Sequence, residues 1–148
     1  MTAVVEAELV ARAVDRDRTV YIDLPPRWVV NVGPPAVAGP VDWGGVAPAV
    51  AVGFEADSLE GDVLAAGVVA AALERLGDPV VVEVRLVGDG VEVVVGHRLW
   101  GVDVTTFERH HCLGASGRWV VACTVADAEL GDWAGVARRI VGSLAVRS

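Results

Sequence analysis

The densest group of side chains able to ligate a metal or move a proton is Glu108-Arg109-His110-His111-Cys112, with His97 upstream. A metal centre needs three or four ligands converging on one point. Successive strand residues point to opposite faces, so His110 and His111 cannot share an ion, whereas His110 and Cys112 lie on one face. His97 joins them only if its strand runs alongside. The expectation is half-buried sheet residues beside Trp119, with hydrogen-bonded imidazoles and no metal or other cofactor. A metal or Cys–His enzyme is the least favoured reading.

Other routes to catalysis are no better supplied. Cys112 has no helix N-terminus beside it to lower its thiol pKa. Ser58 reads as a helix cap and Ser116 as a turn residue, Ser143 and Ser148 lie at the end of the chain, and no Gly-x-Ser-x-Gly elbow occurs. Glu83 and Glu92 alternate with valines, as solvent-facing residues of a half-buried sheet do. Gly88-Asp89-Gly90 and Gly114-Ala115-Ser116-Gly117 fall between strands, so they read as hairpin turns. A phosphate cradle would need a helix N-terminus after the glycines. No catalytic residue is assigned.

Binding residues are easier to nominate. Of five tryptophans, Trp133 has the helical spacing of a core residue. Trp43 sits in a Gly/Pro-rich stretch, either pinned into its own domain or offered to a partner. Trp28 and Trp100, both at strand ends, would form the rim of the same surface with Arg98. The expectation is contact with another protein or with a second copy of the chain. The alternative is a small-molecule site on the sheet face between the helix at 58–76 and the strands after it. Its polar lining would be Glu108, His110 and Cys112.

The elements that must position these residues follow from periodicity. Val4 to Val14 has the spacing of a short amphipathic helix. Thr19 to Leu24 is a β-branched strand ended by Pro25-Pro26, and Arg27 to Val30 is a short second one. Gly33 to Pro48 is irregular and reads as a surface loop. A strand at Ala49–Phe54 precedes a helix capped by Asp57 or Ser58 and stopped by Gly77. That helix is apolar on most faces and belongs against a sheet. Pro79 to Trp100 is a hairpin turning at Asp-Gly, and Val102 to Val125 is a second one turning at 114–117. In that second hairpin Leu113 faces Arg118 and Cys112 faces Trp119. Cys123 then lies about 13 Å from Cys112 at ~3.4 Å per residue, too far for a disulfide. A helix from about Glu129 to Val146 closes the chain. The class is α+β: an antiparallel sheet of about six or seven strands with helices packed on it, over one domain spanning 1–148.

Composition narrows the partners. The 148 residues carry a formal net charge of −8, and all the basic side chains are arginines scattered along the chain. Nucleic-acid binding requires a concentrated basic face and is not expected. Apolar residues are 53% of the chain but aromatics only 5%, so the core is largely Val and Ala. The longest apolar helical stretch, Val63 to Leu73, is too short to enter and span a bilayer. Met1 to Glu8 has neither the charged nor the apolar region of a signal peptide, and the expected location is cytoplasmic.

Tyr21-Ile-Asp-Leu-Pro-Pro-Arg-Trp28 resembles the strand and Pro-x-x-Trp opening of PsbP-like domains. The loop, strand, Gly-stopped helix and four-strand meander that follow keep that order, and Ile140 to Val146 looks like the family's closing helix. The resemblance covers about residues 18–146, with 1–17 as a helical extension. It implies an α/β/α sandwich of the type shared with actinobacterial LpqN-type proteins. It also implies a non-enzymatic accessory or binding role.

Overall fold

The structure is a computed structural model that describes residues 5–9, 19–31, 36–41, 46–114 and 117–147. Ten strands and two α-helices succeed one another in these segments. The strands are β1 (Val5–Leu9), β2 (Thr19–Leu24), β3 (Val29–Asn31), β4 (Ala36–Gly39) and β5 (Ala49–Glu55), followed by the helix α1 (Gly61–Arg75). Next come β6 (Gly77–Val87), β7 (Gly90–Leu99), β8 (Val102–Cys112) and β9 (Arg118–Ala126). A 3-10 turn at Asp127–Glu129 leads into α2 (Leu130–Gly142), and β10 (Ala145–Arg147) ends the described chain.

Seven strands form one antiparallel sheet in the order β3-β4-β5-β9-β8-β7-β6, and β1-β2-β10 form a second, three-stranded sheet. Alternation along the strands divides the large sheet into two chemically different faces. One face turns Val50, Val52, Phe107, Trp119, Val121, Cys123 and Val125 toward α2, whose Val136, Ala137, Ile140 and Val141 follow helical spacing. Val20, Ile22 and Leu24 of the small sheet complete this core. Ser143 Oγ joins the layers by accepting from the Asp23 N–H at 2.7 Å.

The other face carries α1, whose Leu64, Val68 and Ala72 recur every fourth residue and lie on Val91, Val93 and Val95. The expected α+β sandwich, with helices on both faces of an antiparallel sheet, is therefore the observed one.

Several local expectations give way. Val5–Leu9 is not helical; it pairs with β2 from Val5 opposite Leu24 to Leu9 opposite Val20. Strand pairing overrode a helical spacing carried by few residues, and residues 10–18 lie outside the described segments. The last helix stops at Gly142, and Ala145–Arg147 returns as a strand beside β2. Part of the anticipated 33–48 loop is β4, which pairs between β3 and β5. The turn after β8 spans Leu113 to Gly117, so Cys112 faces Arg118 and His111 faces Trp119. That one-residue difference exchanges the two faces of β9.

Candidate functional site

Helix α1 packs on β6 and β7 and leaves the β8, β9 and β5 part of the same face less covered. A groove of about 350 Å³ opens there. One wall is the α1 flank at Gly67, Ala71, Arg75 and Leu76; the floor is Glu108, His110, Val120 and Ala122, with Arg118 at one end. Glycine and alanine on the helix wall keep it shallow and smooth. The walls carry both charge signs, in Glu55, Arg75, Glu108 and Arg118.

A chain of four polar residues organises the floor. The Arg118 guanidinium is ion-paired through Nη1 with Asp57, and its Nε donates to His110 Nδ1 at 2.9 Å. His110 Nε2 meets Glu108 Oε1 at 2.5 Å. His110 and Arg118 are buried, while Asp57 and Glu108 are half-exposed at the ends of the chain. Burial pushes the Asp57 carboxyl upward. The Arg118 hydrogen bond, the Leu59 N–H and the Arg118 charge together outweigh it, so its pKa lies below the ordinary value.

Two glycines let these residues approach. Gly117, at φ 111°, precedes Arg118; a Cβ there would stand 2.5 Å from the Glu55 carbonyl and 2.6 Å from the Phe54 ring. Gly90 lies opposite His111, and a Cβ on it would overlap the His110 carbonyl.

His97 lies on this face too, but at the opposite end of the sheet. It pairs with Val104, whereas His110 pairs with Val91. That separation is six residues along β7, about 20 Å at ~3.4 Å per residue. A polar row runs from it across three strands: His97 Nε2 to Thr106 Oγ1 at 2.8 Å, and Thr106 Oγ1 to Thr124 Oγ1 at 2.8 Å. His97, His110 and Cys112 therefore do not converge, and no group of metal-ligating side chains does so among the described residues.

Cys112 shares the His110 face but lies outside the groove, its Sγ–H directed at the Leu59 carbonyl at 3.6 Å. Burial raises its thiol pKa. Trp119, the anticipated neighbour of this cluster, is on the far face, edge-on to Phe54 at 5.1 Å.

The tryptophan rim divides. Trp28 is half-buried, its ring 5.8 Å from that of Trp133, and it packs into the α2 core. Trp43 lies outside the described residues. Trp100 is 88% exposed at the tip of the β7–β8 hairpin. There Trp100 (φ 51°) and Gly101 (φ 78°) form a two-residue turn closed by the Leu99–Val102 pair. Arg98 braces the turn through Gly101 O at 3.0 Å and Asp103 at 3.5 Å. Arg98 also pairs with Gly77, the residue after Leu76 of the groove wall.

Sequence reasoning passed over Arg118 and Asp57. The signal for them was an arginine opening a strand and an aspartate two residues beyond the preceding strand's end.

An antiparallel sheet sandwiched between two helices is a fold this chain shares with solved structures. Its structural neighbours include LpqN of Mycobacterium tuberculosis, described as involved in cell envelope biogenesis. The two share 12% identity and a TM-score of 0.62, over 98% of this chain and 92% of LpqN. The Ran-binding protein Mog1p of Saccharomyces cerevisiae aligns at a TM-score of 0.64 and 12% identity, over 98% of this chain and 96% of Mog1p. No family model matches the sequence, and no curated protein matches it. The likeness is one of fold.

Among the described residues, no helix is long and apolar enough to cross a membrane.

Proposed function

We propose that this chain is a non-catalytic binding domain that works by contact with another protein, through the Trp100 tip and the α1-face groove. The carrying observation is Trp100. A bulky side chain at positive φ costs on the order of 1–2 kcal/mol relative to glycine. Its position in the turn favours Asn or Gly, and the indole is almost wholly in water. A strained, exposed tryptophan is a binding anchor far more readily than a packing element.

The groove supports the same reading. Both ring nitrogens of His110 are engaged by protein groups, so the imidazole is a structural bridge rather than a free base. Glu108 is half-exposed, and its second oxygen accepts nothing among the described residues. A partner segment with an apolar side and an N–H donor suits this floor. Fold relatives lend weight to such a role, since Mog1p is described as Ran-binding. One domain over 1–148 acting in the cytoplasm is part of the proposal; both cysteines are free, as in a reducing compartment.

Affinity capture from the native host with wild-type and Trp100→Asn protein tests it. Asn suits the turn, so the variant keeps its fold, and the proposal expects it to lose proteins the wild type retains. An identical captured set contradicts the proposal.

A second reading is a small apolar ligand in the groove, because about 350 Å³ falls within the size range of small-molecule sites. It expects a thermal shift with a ligand that Ala71→Trp abolishes and Trp100→Asn leaves intact.

A further inference from the structure

The two ends of the seven-stranded sheet are unlike. β3 is a three-residue strand, short enough to offer little to another chain. β6 at the other end has eleven residues. It is irregular between Gly77 and Val80 and between Val81 and Glu83 and in unbroken register with β7 from Glu83 to Val87, and no strand among the described residues lies outside it. Its Val82 and Leu86 are 64% and 54% exposed, and Val80 and Val84 are exposed as well. A long apolar edge of this kind demands a cover.

The geometry of the β6–β7 hairpin says which groups face outward. Its two-residue turn closes on the Val87–Gly90 pair. Hydrogen-bonded and non-hydrogen-bonded pairs alternate from there, so Arg85 and Glu83 bond back to β7. Val84 and Leu86 therefore turn their N–H and C=O groups away from it.

Charge selects the occupant. Glu83 and Arg85 flank Val84 on the sheet face that carries α2. Glu83 holds Arg138 at 2.9 Å; Arg85 holds Glu92 at 2.5 Å, and Arg109 lies 3.5 Å from Glu92. An antiparallel copy of β6 related by a two-fold axis at Val84 sets Glu83 opposite Arg85 of the second copy, twice. It also sets Val84 opposite Val84, within the stretch of β6 that keeps unbroken register. Moving the axis to Glu83 or Arg85 places like charges face to face, which is unfavourable. We infer that β6 is a homodimerisation edge, pairing with a second copy of this chain about Val84 and joining two seven-stranded sheets into one. An isologous contact of this kind is self-complementary and closed. The row Arg109–Glu92–Arg85 then continues into Glu83 and Arg138 of the second copy with alternating sign.

Native mass spectrometry and sedimentation of four samples test this independently of the groove: wild type, Glu83→Arg, Arg85→Glu, and an equal mixture of the two variants. The wild type is expected to dimerise at micromolar concentration. Each variant alone sets like charges opposite each other twice and should bind itself at least about tenfold more weakly. The mixture restores both opposite-charge pairs and should form the heterodimer. A monomeric wild type, variants that dimerise as well as wild type, or a mixture without heterodimer would each overturn the inference. Hydrogen exchange needs no substitution: the Val84 and Leu86 amides should become protected as wild-type concentration rises. Unchanged rates would also overturn it.

Discussion

Arg118 donates from Nε to Nδ1 of His110 at 2.9 Å, and this bond dictates the state of the imidazole. A guanidinium has no acceptor, so Nδ1 must offer a lone pair and the ring proton must sit on Nε2. There it points at Glu108 Oε1. Long-range proton–nitrogen NMR of the folded protein should show His110 as the neutral Nε2–H tautomer. A proton on Nδ1 would contradict the bond.

Removing Arg118 leaves a buried imidazole nitrogen and the Asp57 carboxylate without their donor. Arg118→Ala should lower unfolding free energy by about 2–3 kcal/mol, from a lost buried polar partner and lost packing. Arg118→Lys should recover only part of this, because one ammonium does not reproduce the guanidinium fork. Urea denaturation measures both, and an Arg118→Ala change below ~0.5 kcal/mol would show the network to be dispensable.

Stability should fall as pH drops below about 6.5, and His97 should be one cause. Burial lowers its pKa, against the opposing effects of the Arg98 backbone and the Asp127 charge. The folded state therefore binds its proton less readily than the unfolded chain does, whose value is near 6.5. The contribution is fully present above 6.5 and is lost as pH falls toward the depressed folded value. His97→Gln should flatten the stability profile between pH 7 and 5. An unchanged profile would exclude His97 as its source.

The two thiols should react in a fixed order. Cys112 is half-buried, whereas Cys123 is 1% exposed with its pKa pushed up to about 12 by burial. They lie on opposite faces of the sheet and cannot be bridged without unfolding it. Alkylation with mass mapping should label Cys112 slowly in the native protein, and Cys123 only with denaturant. Simultaneous labelling would contradict this placement.

Relieving the hairpin strain should stabilise the protein. Trp100→Asn places a residue tolerant of positive φ in the two-residue turn and should raise unfolding free energy by about 1 kcal/mol. Thermal or urea unfolding reads this directly; a loss of stability would mean that the indole contributes contacts despite its exposure.

The β6–β7 hairpin, the meander and the shared face of His110 and Cys112 were legible because Asp-Gly turns and valine alternation are strong local signals. The partners of His110 were not. A four-residue turn at 114–117 puts Trp119 on the His110 face; the five-residue turn that forms puts Arg118 there instead. Since strand side chains alternate, one residue of turn length decides which neighbour His110 receives. Asp57 read as a helix cap, yet α1 begins at Gly61 and the carboxylate turns to Arg118, sixty-one residues away in sequence. The closing helix failed differently: its apolar spacing runs on past Gly142, but pairing with β2 claims Ala145–Arg147 as a strand.

The most direct test of the binding-domain account places a photo-crosslinking amino acid at position 100, and in a control at position 63. Val63 is an exposed α1 residue that does not line the groove. Irradiation in the native host should yield a discrete adduct with one other polypeptide from position 100 and none from position 63. No adduct from position 100, or the same adducts from both positions, would contradict the claim that the Trp100 tip is where this protein meets its partner.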